Sequence, residues 1–287
     1  MRLSSLVVFL SMLSLVTRPV AIEGQIVPVS QSRSVGASAF GVTTNYAATD
    51  FTDFSQNVSF SSNDTVSGMY GSGSAVQGSQ IRSSSIQGGG SAQAGGNTGA
   101  AAGAASSCSV TFQISSNLVY NLSGSLFREQ GPGNGGGPPF LMLSGSTGTV
   151  FYVLEPYKYG YSTNFSQTGY LSPGQYTLTT SANASGGSGG GNESFSFNFG
   201  VSPPPPFAIT AVAQQSNDVL LTWTALPGTT NIVQATSGAA DGSYSNSFSD
   251  ISPLIVISGS NGTTNYLDAG GATNSPARYY RVRVPGS

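Results

Sequence analysis

No histidine occurs anywhere in these 287 residues, and that absence removes a large block of chemistry. A Ser-His-Asp or Cys-His triad would have no general base, and a histidine-ligated zinc or iron site would have no ligand. The single cysteine, Cys108, permits neither an internal disulfide nor a thiolate cluster, so the fold is expected to hold by burial and sheet hydrogen bonds alone. Ser-Lys catalysis would have to use Lys158, the only lysine, which sits in YKYGY without an SxxK context. Charge is scarce too: 7% of residues are ionised, against roughly 25% in ordinary soluble domains. The net charge of −2 is too small, and basic residues are too few, for steering onto nucleic acid.

Long apolar runs are missing beyond the first 16 residues, and nothing later approaches the ~18 needed to span a membrane as a helix. The early run itself, LSSLVVFLSMLSLV after a basic start, predicts a secretory signal peptide over residues 1–24, with cleavage after Ala21 or Gly24. The mature chain is therefore expected outside the cell, secreted or held at the cell surface.

What is abundant is Ser, Thr, Asn, Gln and Gly, including 39 glycines, among short alternating apolar segments. In SFSFNFGV, Phe195, Phe197, Phe199 and Val201 fall on one face, and Ser194, Ser196, Asn198 and Gly200 on the other, the period of a half-buried antiparallel strand. TVFYVLE (149–155) is apolar on both faces and predicts a more central strand. In TGYLSPGQYTL, Pro173 and Gly174 suit a type II turn that returns Tyr176 and Leu178 to the inward face. Three glycine-rich tracts, 88–107, 131–139 and 184–192, read as long mobile loops, with glycine-rich strands of weak register as the alternative. PPPP at 203–206 predicts a stiff polyproline spacer. The expected fold class is all-β: two antiparallel β-sandwich domains, a jelly-roll-like one over 25–202 and a second over 207–287, joined by the proline-rich linker.

Neither a catalytic residue nor a cofactor is expected. Glycoside hydrolysis asks only for two converging carboxylates, but none of the ten acids after the leader sits in a recognisable catalytic context. A divergent glycosidase or lyase is the weakest reading. Calcium is the one metal the composition admits, at Asp50 with Asp53 or at Asp268, where the competing reading is turn-forming aspartates.

One segment points to binding. In EPYKYGYSTNF, Tyr157, Tyr159 and Tyr161 are spaced by two and would line one face of an extended segment, with Lys158 on the other. Such rings can stack on sugar faces or on another protein; they can equally cover the core beneath a loop.

The C-terminal residues carry further motifs: DVLLTW with Trp223, the only tryptophan; LPG as a turn; NYLD; and a closing RYYRVRV with Tyr280 and Val282 on one side. This pattern resembles the fibronectin type III-like modules of bacterial secreted proteins. The resemblance implies that Trp223 is the core tryptophan and that Tyr280 and Val282 point inward from the sixth strand. Arg278 stands where that family places its corner tyrosine, and no seventh-strand pattern follows, which leaves an open edge suited to strand addition. The larger region is loosely similar to secreted β-sandwich proteins of environmental bacteria. Together these readings predict a non-catalytic surface or matrix protein acting in adhesion or structural display. The runner-up is a carbohydrate-binding module stacking glycans on the tyrosine-rich segment, with a polysaccharide or a surface protein as partner.

Overall fold

A computed structural model describes residues 25–97, 100–130, 136–155, 160–186, 190–204, 207–226, 228–257, 262–273 and 277–285. The leader, the last two prolines of the 203–206 run, and residues 131–135 and 187–189 of the glycine-rich tracts lie outside the described residues. Among those that are described the chain forms antiparallel strands and no helix.

Twelve strands precede the proline run. They are β1 (Val27–Ala39), β2 (Val42–Ala47), β3 (Phe54–Asp64), β4 (Met69–Ile81), β5 (Ser85–Gly96), β6 (Ala102–Ile114), β7 (Leu118–Gln130), β8 (Phe140–Gly145), β9 (Gly148–Leu154), β10 (Tyr161–Leu171), β11 (Gly174–Gly186) and β12 (Gly191–Ser202). They form two six-stranded sheets, ordered β2-β1-β6-β11-β8-β9 and β10-β7-β12-β5-β4-β3. Both sheets contribute to a single apolar cluster. Its centre is aromatic: Phe112 and Phe199 lie 5.4 Å apart between ring centroids, and Tyr120 meets Phe199 at 6.1 Å. Each such buried ring stabilises the fold by roughly 1.5–3 kcal/mol relative to exposure.

β12 follows the alternation read from its sequence, with Phe195, Phe197, Phe199 and Val201 buried and Ser196 and Asn198 exposed. Three other expectations are corrected. The tract at 88–107 takes the strand alternative and not the loop: its described residues supply most of β5 and the first half of β6, and the register is firm, β5 pairing with β12 over ten residues without a break. The glycines there make room for aromatics. A Cβ on Gly88 would stand 2.7 Å from the Phe197 ring, and one on Gly90 would stand 2.1 Å from Ser106 Oγ and 2.7 Å from the Phe195 ring. In the same way, residues 184–186 and 191–192 of the third tract belong to β11 and β12.

TVFYVLE is an edge strand, not a central one. Phe151 and Val153 pack on the core, while Val150, Tyr152 and Leu154 face outward and stay partly wet. The second apolar face therefore meets its neighbour β8, where Tyr152 lies 6.4 Å from Phe140, and not a further strand. Pro173 and Gly174 do not make a type II turn either. Gly174 has φ 159°, not the roughly +80° that turn requires, and the chain there crosses from one sheet to the other. Leu178 is nonetheless buried and Tyr176 packs against the core.

Seven strands follow: β13 (Ala208–Gln215), β14 (Asp218–Thr224), β15 (Thr230–Gly238), β16 (Ser249–Asp250), β17 (Ile255–Val256), β18 (Thr263–Asp268) and β19 (Ala277–Arg283). β14 sits between β13 and β18. β15 pairs with β19 on one edge and with the short β16 and β17 on the other. These strands enclose their own apolar cluster around Trp223, Leu221, Val233 and Ile257.

Candidate functional site

Tyr157, Lys158 and Tyr159 lie outside the described residues. Tyr161 opens the edge strand β10 and is 51% exposed. It stands opposite Arg128 in register, and Arg128 is buried, so Tyr161 overhangs the core side of its sheet rather than the outer face. Trp223 is fully buried and its indole N–H donates to Asn231 Oδ1 at 2.9 Å. Tyr280 and Val282 are half-buried against the same cluster.

The aspartates considered for calcium are engaged by the chain itself. Asp50 Oδ1 accepts from the Thr52 amide at 2.9 Å and from its hydroxyl at 2.6 Å, which holds its pKa below the ordinary carboxylate value. Asp53 receives both Nη groups of Arg82, at 2.6 and 2.8 Å, and is lowered by that contact. Asp268 Oδ2 accepts from Arg278 Nε at 2.7 Å and from the Tyr280 hydroxyl at 2.9 Å. Burial, and then the bond to Asp268, raise the Tyr280 phenol. Among the described residues no three acids or cysteines converge as a metal site would need.

Ionisable groups that the sequence did not single out are buried inside the sandwich, among them Arg128, Glu193 and Arg33. Arg128 Nε stands 3.1 Å from Glu193 Oε1, with both side chains almost wholly buried. The Asn183 amide donates to Glu193 Oε2 at 3.0 Å, and Arg128 Nη2 donates to the Gly136 carbonyl at 2.9 Å. Burial pushes the Glu193 carboxyl up to about 7, against the opposing pull of the Asn183 amide and the Arg128 charge. Arg33 is buried as well, and donates to Ser79 Oγ at 3.3 Å and to the carbonyls of Asp50 and Thr52 at 2.5 and 2.9 Å. It ties the 50–53 loop to the body of the sandwich. Strand alternation put all three side chains on inward positions, but nothing in the sequence tells a buried ion pair from an exposed one.

The outer faces of the two sheets are nearly uncharged. On β3, β4, β5, β12, β7 and β10 most outward positions hold Ser, Asn, Gln, Thr or Gly, interrupted by Tyr70, Val76, Val119, Phe127 and Tyr170, with Glu129 the one ionised side chain among the described residues. Hydroxyls bond across strands: Ser125 to Ser196 at 2.8 Å on one sheet, and Ser34 to Ser107, Ser109 to Thr179 and Thr111 to Thr177 at 2.9–3.1 Å on the other. A groove of about 330 Å³ runs over Ser59, Ser61, Ser72, Ser74 and Gln93. Such surfaces offer donors and acceptors in a fixed lattice.

A further aromatic group, not anticipated from the sequence, lies between β15 and β19. Tyr244 stacks on Tyr279 with ring centroids 4.4 Å apart, Phe248 meets Tyr244 edge-on at 6.1 Å, and the Arg281 guanidinium covers Phe248 at 4.3 Å. Tyr244 and Phe248 sit in the polar run DGSYSNSFSD, where two aromatics four residues apart give no periodic signal.

No protein-family model matches this sequence, and no curated protein matches it either. Function must therefore be argued from these surfaces.

Proposed function

We propose that this chain is a secreted, non-catalytic component of a cell surface or extracellular matrix, acting in adhesion or structural display. The observation that carries the reading is the pair of broad sheet faces lined largely by hydroxyls and amides, with scattered aromatic and aliphatic side chains, and nearly free of charge. A rigid polar lattice of this kind can hydrogen-bond to another flat, neutral polymer surface, and burial of small polar groups there loses little side-chain entropy. The described carboxylates at Asp50, Asp53, Asp250 and Asp268 are tied to neighbouring groups, which supports a role without acid–base chemistry.

In this reading the first twelve strands form a jelly-roll-like sandwich and the last seven a fibronectin type III-like module, with the prolines as a spacer. The pairing of β14 between β13 and β18, with Trp223 buried beneath, supports the second assignment. The far edge of β19 carries no strand among the described residues, and that edge is open to pairing with another chain. A second reading, a glycan-binding module on the tyrosine-rich segment, is favoured by the half-exposed ring of Tyr161.

The test is retention. Beads coated with residues 25–287 should hold to immobilised cell-wall polymers or to one another under flow, with no release of soluble sugar. Ser59→Lys with Ser74→Lys should weaken that hold by setting charge on the flat face. Retention no better than that of albumin-coated beads would sink the proposal.

A further inference from the structure

We propose that Tyr244, Tyr279 and Phe248 form a carbohydrate-stacking platform that takes the C–H face of a pyranose ring in a polysaccharide. This rests on the extracellular, adhesive reading above and gives it a specific ligand class and place.

The platform is preorganised. Asp241 Oδ1 accepts from the amide and hydroxyl of Ser243 at 2.9 and 2.6 Å, and Gly242 takes the positive φ of 84° that closes the turn. The Ala239 amide donates to the Ser243 carbonyl at 2.8 Å, and Tyr244 bridges back to Gly238. The Tyr279 hydroxyl donates to the Gly242 carbonyl, so the lower ring is pinned to the same turn that carries the upper one. Little conformational entropy is left to lose when a ligand arrives, which is where weak stacking sites gain their affinity.

The ring so held is not core cover. Tyr244 stays 53% exposed although one face lies against Tyr279. Around it the chain places Ser243, Ser245, Asn246 and Ser247, all exposed. The nearby charged groups are already committed: Asp241 to Ser243, and Arg281 to Gln234 Oε1 at 2.7 Å and to the Phe248 ring. An aromatic face rimmed by neutral hydroxyls and an amide matches a pyranose, whose axial C–H bonds meet the negative face of the ring while its equatorial hydroxyls reach the rim. A single such contact is weak, and a polymer that engages many coated copies at once multiplies it by avidity.

The experiment is a pull-down of residues 25–287 on insoluble glucan, xylan and chitin, beside Tyr244→Ala, Tyr244→Phe and Tyr161→Ala, each checked by circular dichroism. Wild type should be retained on at least one polymer, Tyr244→Ala should bind about tenfold more weakly, and Tyr244→Phe should stay within about threefold. Tyr161→Ala should bind as wild type does. If Tyr244→Ala does not fold, Ser245→Arg, which crowds the ring without removing the stack, should show the same loss. Binding unchanged in folded Tyr244→Ala, or wild type retained on none of the three, overturns the platform. The bead assay on whole cell-wall material separates that failure from failure of the adhesive reading, which stands if coated beads still hold.

Discussion

Raising the pH from about 4.5 to 8 should destabilise the sandwich, because Glu193 is buried with a carboxyl pushed from its ordinary 4.5 to about 7. The native state holds this proton more tightly than the unfolded chain does. Below 4.5 both states carry it and the group contributes no difference. Between 4.5 and 7 the unfolded state releases it first and stability falls with pH; above 7 the native carboxylate is charged and the full cost is present. At about 1.36 kcal/mol per pKa unit, a rise of roughly 2.5 units amounts to ~3 kcal/mol, a large part of the 5–15 kcal/mol that holds a typical domain together. The opposite slope belongs to lower pH. Asp50, Asp53, Asp64, Asp241 and Asp250 are held below their ordinary value by hydrogen bonds and arginines, and what they contribute is lost as pH drops through those lowered values. The stability maximum should therefore lie near pH 4–5 rather than at neutrality.

Urea unfolding followed by circular dichroism at half-unit steps from pH 4.5 to 8 measures the slope, and Glu193→Gln removes the proton that causes it. The variant mimics the protonated carboxyl, so its curve should be flat across this window, near wild type at pH 4.5 and above it at pH 8. A wild-type stability that rises over the window would refute the argument, and so would a slope that Glu193→Gln leaves intact. The first result would mean that Arg128 at 3.1 Å outweighs burial.

Three further outcomes follow from the packing. Gly90→Ala places a methyl group 2.1 Å from Ser106 Oγ and against the Phe195 ring, and should cost about 1–3 kcal/mol in a urea titration, whereas Gly78→Ala, with open space at its Cβ, should be nearly silent. Cys108, 1% exposed and with its thiol pushed up to about 12 by burial, should resist aromatic disulfide reagents until urea unfolds the protein; prompt native reactivity would contradict its burial. Asn231→Leu leaves the buried indole N–H of Trp223 without its acceptor, and should cost about 1–3 kcal/mol in the urea transition read by Trp223 fluorescence.

The fold class was legible wherever apolar side chains alternate, as in SFSFNFGV, because period two survives in the letters themselves. Over 88–107 the strand was only the second choice beside a loop, for a definite reason. From Gly88 to Cys108 the inward strand positions hold only Gly, Ala, Ser and Cys, and the volume that completes the core beside Gly88 and Gly90 is supplied from β12 by Phe195 and Phe197. A strand whose hydrophobic bulk sits on its neighbour looks like a loop when read alone. TVFYVLE misled in the opposite sense: two apolar faces are expected of a central strand, yet here the outer face is shared with Phe140 of β8 at the margin of the sheet. The stacked tyrosines at 244 and 279 are 35 residues apart in the chain and meet only because β19 pairs with β15 beside the loop carrying Tyr244, a juxtaposition no local pattern records.

The margins of the sandwich also bear on the adhesive reading. Soluble β-proteins commonly blunt edge strands with lysine, other charges or proline, since an unpaired row of N–H and C=O groups invites another chain. The margins of these two sheets are β2, β9, β10 and β3, and the only carboxylate or basic side chain on them is Asp64, at the very end of β3. Proline is missing from all four as well. β9 even turns Val150, Tyr152 and Leu154 outward along its length. Four margins with a single terminal carboxylate and no proline make a poor design for a protein that must stay apart from its neighbours, and are in keeping with the adhesive role proposed above.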